Sequence, residues 1–335
     1  MNHQQIRKLL LKTGRAVCDK VYRSLQSQQA NRLSQVVQEN AEDTIYAIDK
    51  EVEDIILPIL VEKAEALGGI RLIAEGMGNE GELLLPEGIS ATAAAICIIM
   101  DPIDGTRGIM YDKRSAFFLA AAAPNREKLC LQDIELSVMV ELPTSKAYLS
   151  DAFYASRGGG CQGERLNLHT QEVTPLLPRP SKADSIIGGF AQISRFFPPG
   201  KDILASIEEE MIKAIAPIRE GKALLFEDQY ISSGGQLYEM LMGHDRFTAD
   251  LRTALYQELA KKNETPAGLC CHPYDVCATL IGEEAGLIIT NIEGKSLNPA
   301  LNLTEPVDWV GYANERIRLQ VEPVLQLILQ RLNWI

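Results

Sequence analysis

The chain has 335 residues, long enough for one large α/β unit or two fused subdomains around a sizeable core. Its 33 basic and 45 acidic residues give a net charge of −12, which argues against a nucleic-acid polymer as a docking partner. The seven scattered cysteines fit reduced thiols better than a disulfide framework. Residues 1–12 hold only a brief Leu-Leu-Leu among polar and basic residues, so neither a signal peptide nor a membrane span is expected, and a cytoplasmic location is.

Along the chain, Ile6, Leu9, Leu10, Val17 and Val21 form the apolar stripe of a first helix. Asp43-Thr44 is a capping signal for a second, in which Ile48, Val52, Ile55, Ile56, Ile59 and Leu60 recur at helical spacing until Gly68-Gly69; Pro58 predicts a kink. Residues 70–74 then read as a short strand that delivers Glu75 just before Gly76. The run Ile96-Cys97-Ile98-Ile99-Met100 reads as a buried strand and leads straight into Asp101-Pro102-Ile103-Asp104-Gly105-Thr106. Pro102 is expected to stop the ladder, and Gly105-Thr106 to make a tight turn with outward-facing N–H groups. Residues 115–123, 134–141 and 146–154, each bounded by turn formers, predict antiparallel sheet. Arg157-Gly158-Gly159-Gly160 reads as a tight connection, because no strand-to-helix context of a dinucleotide site surrounds it.

Pro175, Pro178 and Pro180 mark a boundary near residue 180, dividing the chain into 1–180 and 181–335. Beyond it the pattern alternates. A strand is expected over 185–189 and helices over 203–214, 234–242 (entered by Ser232-Ser233), 275–285 and from 313 onward. No internal repeat is present.

Four acidic residues are placed where a scaffold would aim them: Glu75, Asp101 and Asp104 at strand ends, and Asp275 at a helix start after His272-Pro273-Tyr274. Singly, each would be a cap or a solvated turn. Together, hard oxygen ligands beside free N–H donors suit Mg²⁺ chemistry on a phosphate ester. Cys270, Cys271 and His272 lack a second pair at zinc spacing and read as packing.

Two motifs carry a resemblance. Asp101-Pro102-Ile103-Asp104-Gly105-Thr106 and the segment from Tyr274-Asp275-Val276-Cys277-Ala278 to Glu284-Ala285-Gly286 resemble, in order and separation, those of the inositol monophosphatase-like Mg²⁺-dependent phosphatases. That superfamily includes fructose-1,6-bisphosphatases and 3′(2′),5′-bisphosphate nucleotidases. The resemblance implies an α/β (α+β) layered sandwich of alternating helix and sheet layers, and often a homodimer. It also implies hydrolysis of a small phosphorylated metabolite by activated water, with two Mg²⁺ ions and a third, weaker one in the substrate complex. Glu75, Asp101 and the carbonyl of Ile103 would hold one ion and Asp101, Asp104 and Asp275 the second. Gly105 and Thr106 would bind phosphate through N–H groups, and the Thr106 hydroxyl paired with Asp49 would orient water. Asp245 would meet a substrate hydroxyl.

The chain departs from the family in two places. Glu75-Gly76 stands where two consecutive glutamates are common, with Glu80 as an unsupported substitute. Arg107, followed by Lys113 and Arg114, brings cationic charge where inositol enzymes carry a small polar residue; it points to a second phosphate and hence to a bisphosphate nucleotidase or sugar bisphosphatase as the alternative. The missing glutamate also leaves open a non-enzymatic sensor of phosphorylated ligands.

Overall fold

The computed structural model of the chain describes residues 1–27, 36–39, 44–77, 81–218, 220–262 and 268–335, the side chains of 36–39 and 44–49 excepted. It opens with α1 (His3–Gln26), a hairpin of β1 (Val36–Glu39) and β2 (Thr44–Tyr46), and α2 (Ala47–Ala64). Then come β3 (Ile70–Ala74), β4 (Glu82–Leu85), β5 (Ile96–Asp104) and the short helix α3 (Thr106–Met110). Five strands follow: β6 (Ala116–Pro124), β7 (Leu136–Leu142), β8 (Leu149–Ser156), β9 (Cys161–Asn167) and β10 (Val173–Leu176). The remainder comprises β11 (Phe190–Ile193), α4 (Lys201–Ile215), α5 (Ser233–Leu241), β12 (Asp245–Asp250), α6 (Arg252–Lys261), α7 (Thr279–Glu284), β13 (Ile288–Thr290), β14 (Trp309–Tyr312) and α8 (Glu315–Arg331).

An eight-stranded sheet runs β10-β9-β8-β7-β6-β5-β3-β4, and a four-stranded one runs β11-β12-β14-β13. The central strands β5, β6 and β7 of the large sheet are buried on both faces, and their side chains sort by parity. Ile96, Ile98, Phe118, Ala120, Val138 and Val140 pack with α1 and α2, whereas Cys97, Ile99, Phe117, Leu119 and Met139 pack with residues of α5 and α7. Such two-sided burial explains why 96–100 is an unbroken apolar run rather than an alternating one. In the small sheet, Phe247, Ala249, Val310 and Tyr312 face Leu204, Ile207 and Met211 of α4 and Val321, Leu325 and Ile328 of α8. The layers therefore alternate helix, sheet, helix, sheet, helix, as the fold expectation has it.

One register positions the chemistry. β3 and β5 pair in parallel from Ile70↔Ile96 to Ala74↔Met100, so the next residues along each strand, Glu75 and Asp101, come side by side.

Several expectations need correction. Pro102 does not stop the ladder: β5 continues to Asp104, and Asp101↔Leu119 is followed by Asp104↔Phe117, three residues of β5 set against two of β6. The proline sits in this bulge, where no ladder donor is required of it. Thr44 does not cap the second helix but lies in β2, and α2 begins at Ala47; Asp43 lies outside the described residues. The strand expected at 185–189 forms instead at Phe190–Ile193, where it pairs in parallel with β12. The helix expected over 275–285 is only Thr279–Glu284, and residues 273–278 form turns that present Asp275. The three-glycine connection is fixed by that same motif, because the amides of Gly158 (2.6 Å) and Gly160 (2.8 Å) donate to the Glu284 carboxylate. No described helix is long and apolar enough to cross a membrane.

Candidate active site

The C-terminal end of β5 and the turns before α5 and α7 meet at a pocket. Asp101, Asp104 and Asp275 bring one carboxylate oxygen each to within 4.8 Å of one another there. Asp101 is held by a local turn, its Oδ1 accepting the Ile103 N–H at 2.9 Å. Asp104 Oδ2 accepts from the Ser232 hydroxyl at 2.8 Å and from the Gly234 N–H. A Cβ on Gly234 would lie 2.8 Å from that oxygen, so only glycine lets the start of α5 approach this closely. Asp275 Oδ2 accepts the His272 N–H at 2.6 Å.

Electrostatics follow from the burial. Desolvation pushes Asp104 up to about 6 despite its donors, and desolvation followed by the charge of Asp104 holds Asp275 well above the usual carboxylate range. Three crowded carboxylates in a buried pocket form a donor set suited to a hard divalent cation, which relieves both the repulsion and the lost hydration. The residues thus fit the metal that the sequence implied.

Glu75, Ile103, Gly105, Thr106 and Arg107 line the same pocket. Glu75 Oε1 lies 3.3 Å from the Tyr274 hydroxyl. The Ile103 carbonyl accepts the Thr106 hydroxyl at 2.8 Å. Gly105 has φ +95° and precedes α3, where the N–H groups of Gly108 (2.8 Å) and Ile109 (3.2 Å) donate to its carbonyl. Arg107 sets its guanidinium 5.7 Å from the centre of the Phe197 ring. Asp245 is not among the lining residues; it begins β12, buried, with Gln192 Nε2 at 3.4 Å, and burial pushes it up to about 7. The Asp49 side chain and Glu80 lie outside the described residues.

Sequence reasoning missed a second set. Arg252 lines the pocket while donating to both oxygens of Asp250 and to the Leu269 carbonyl (2.9 Å). Its guanidinium also lies 5.1 Å from the centre of the Phe196 ring. Phe196, Phe197, Ser232 and Ser233 complete that wall. Only the Asp-x-Arg spacing of Asp250 and Arg252, straight after the apolar alternation of β12, hinted at it.

A model of the inositol monophosphatase family matches residues 2–191. The fold is similar to that of the extragenic suppressor protein suhB from Bartonella henselae, at 17% identity and TM-score 0.63, over 96% of this chain and 98% of that one. It is similar to Leishmania major fructose-1,6-bisphosphatase at 13% identity and TM-score 0.67, over 96% and 94%. A Thermotoga maritima IMPase matches at 17% identity and TM-score 0.57, over 94% and 96%. Comparison with curated protein sequences returned no match.

Proposed function

Because the chain belongs to the inositol monophosphatase family, a family of phosphatases generally dependent on metal, we propose that it is a Mg²⁺-dependent hydrolase of a small phosphate monoester, an inositol phosphate or a related sugar phosphate. The observation that carries this reading is the convergence of Asp101, Asp104 and Asp275 beside the Gly105-Thr106 turn. Bound cations supply positive charge to the phosphoryl oxygens and acidify the attacking water. Asp101, Asp104 and Asp275 would hold one ion, and Glu75, Asp101 and the Ile103 carbonyl the other. The amides of Gly105 and Thr106 orient the phosphate, and the Thr106 hydroxyl, together with Asp49, orients the water that displaces the leaving group. Thr106 reaches this role from a fixed position, since its hydroxyl is tied to the Ile103 carbonyl. In this reading residues 1–180 supply most of the site and residues 181–335 supply Asp275. Phosphate release from inositol phosphates with Mg²⁺, abolished by chelation, is the expected result. Thermal stabilisation by these ligands without turnover would instead favour a sensor.

Arg107 favours a second reading, in which the ester carries another phosphate. With its guanidinium 5.7 Å from the centre of the Phe197 ring on the pocket wall, Arg107 would meet an anion on the leaving group. A panel of inositol phosphates, fructose 1,6-bisphosphate and adenosine 3′,5′-bisphosphate, ranked by kcat/KM, separates the two readings. Under the second, Arg107→Ala lowers kcat/KM for the preferred bisphosphate by about 10- to 100-fold, as loss of a charge-assisted hydrogen bond does. The same variant leaves monophosphates nearly unaffected. Equal losses on both classes would remove Arg107 from specificity.

Cation binding also has a pH signature. The folded carboxyls of Asp104 and Asp275 titrate above their unfolded values. In chelator, therefore, their contribution to stability is complete below about pH 4 and is lost as pH rises, for Asp104 through about 6. Cations bind the ionised forms and displace protons. The increment in Tm produced by Mg²⁺ over chelator is thus expected to grow from pH 5 to pH 8. An increment independent of pH would contradict binding at these carboxylates.

A further inference from the structure

Glu75 and Asp275 line the same pocket, and the residues Tyr274 and His272 link them. Tyr274, 5% exposed, stacks on His272 with centroids 5.4 Å apart and planes 11° from parallel. The Tyr274 hydroxyl lies 3.3 Å from Glu75 Oε1 and also 3.3 Å from His272 Nδ1. His272 in turn reaches Asp275 through its backbone N–H, at 2.6 Å from Oδ2, with Nδ1 3.8 Å from the same oxygen. A phenol has one proton to donate, and a carboxylate that ligates a cation only accepts. If the Tyr274 proton goes to Glu75, His272 Nδ1 must carry a proton and donate to the phenol oxygen.

We propose that Tyr274 is a positioning residue: its hydroxyl, supported by His272 Nδ1–H, fixes the Glu75 carboxylate for cation binding and ties it to the Asp275 side of the pocket. The inference rests on the reading of Glu75 and Asp275 as ligands given under Proposed function. It assigns a role to the departure at Gly76. That residue has φ +67°, a conformation unfavourable for a second glutamate, so a lone carboxylate at 75 is oriented by a phenol from 199 residues away rather than by a charged neighbour. A buried ring has few rotamers open to it, and a donor mounted on one holds its acceptor with little freedom.

The test uses the full-length protein with Mg²⁺ alone as the probe, titrated calorimetrically without substrate. Tyr274→Phe keeps the ring and its stacking and removes only the hydroxyl. Expected are a Kd for Mg²⁺ weaker by about 10- to 100-fold and a Tm in chelator unchanged within a degree or two. In a Glu75→Gln background, where the acceptor is changed, Tyr274→Phe should weaken Mg²⁺ binding no further, because the two side chains act as one unit. Unchanged affinity in Tyr274→Phe, while Glu75→Gln alone weakens binding, overturns the role of Tyr274 and leaves the ligand assignment standing. Unchanged affinity in Glu75→Gln overturns the ligand assignment, and the role of Tyr274 with it. Additive losses, or a fall in Tm in chelator, make Tyr274 a packing residue and also overturn the proposal.

Discussion

Under the proposed function, Asp101→Asn is expected to lower Mg²⁺-dependent phosphate release by on the order of 10³-fold while leaving the fold intact, because loss of a ligand that would be shared by two cations removes several kcal/mol of charge stabilisation at the transition state. The substitution is close to isosteric. Asp101 is buried, and its Oδ1 accepts the Ile103 N–H, a bond that an asparagine oxygen can also make, so the turn after β5 keeps its shape. What changes is the other side of the group, where an amide N–H₂ replaces an anionic oxygen facing Asp104 and Asp275. Neutralising one of three crowded carboxylates should also relieve repulsion, so the variant in chelator is expected to be at least as stable as the parent. Phosphate release and thermal unfolding measured on one preparation check both halves, and a fully active variant would remove Asp101 from the site.

Arg252→Met is expected to destabilise the protein by about 3–5 kcal/mol, the range for breaking a buried ion pair from one side. Arg252 and Asp250 are 5% and 1% exposed, and the guanidinium grips both carboxylate oxygens. Without it the buried Asp250 carboxylate loses the guanidinium donors on both of its oxygens. Asp308, already held well above the usual range by burial and by Asp250, loses the same counter-charge; it caps α6 by accepting the amides of Thr253 (2.9 Å) and Ala254 (3.0 Å). Arg252 also lowers Asp104 and Asp275, so both carboxyls move further up when it is removed. Denaturant unfolding of Arg252→Met beside the double variant Asp250→Leu/Arg252→Met is the discriminating measurement. A double variant that recovers most of the loss identifies the orphaned carboxylate as the cause, whereas equal destabilisation points to the contacts of Arg252 with Phe196 and Phe197.

Much of this was legible in the sequence wherever the signal was local. The apolar run before Asp101, the stripes of α1 and α2, and the Ser232 cap of α5, whose side chain accepts the Gly235 N–H, are short-range patterns, and the structure has them. The acidic trio was readable for a related reason, since Asp101 and Asp104 share one turn and the segment carrying Asp275 resembles a family motif. The errors came where tertiary pairing overrode local chemistry. A proline reads as a strand end, yet the β5 ladder absorbs it in a bulge because β6 resumes pairing at Phe117. Residues 185–189 have as good a strand composition as 190–193, and only the partner strand β12 chooses between them. The wall of Phe196, Phe197 and Arg252 left only the hint of the Asp250-x-Arg252 spacing, because no local pattern marks which aromatic will lie against which guanidinium across more than fifty residues.

The Gly234 amide that reaches Asp104 does so across 130 residues of chain, and the Tyr274 hydroxyl reaches Glu75 across 199. Contacts of that separation carry the largest closure entropy and form after the local hairpins and helices have done their part. The pocket is therefore completed late in folding, and a cation that recognises only the completed pocket stabilises the native side of the barrier. Its effect would fall on how long the folded molecule lasts rather than on how quickly it forms, so the same ions that would serve hydrolysis would also act as a clasp on the lifetime of the native state.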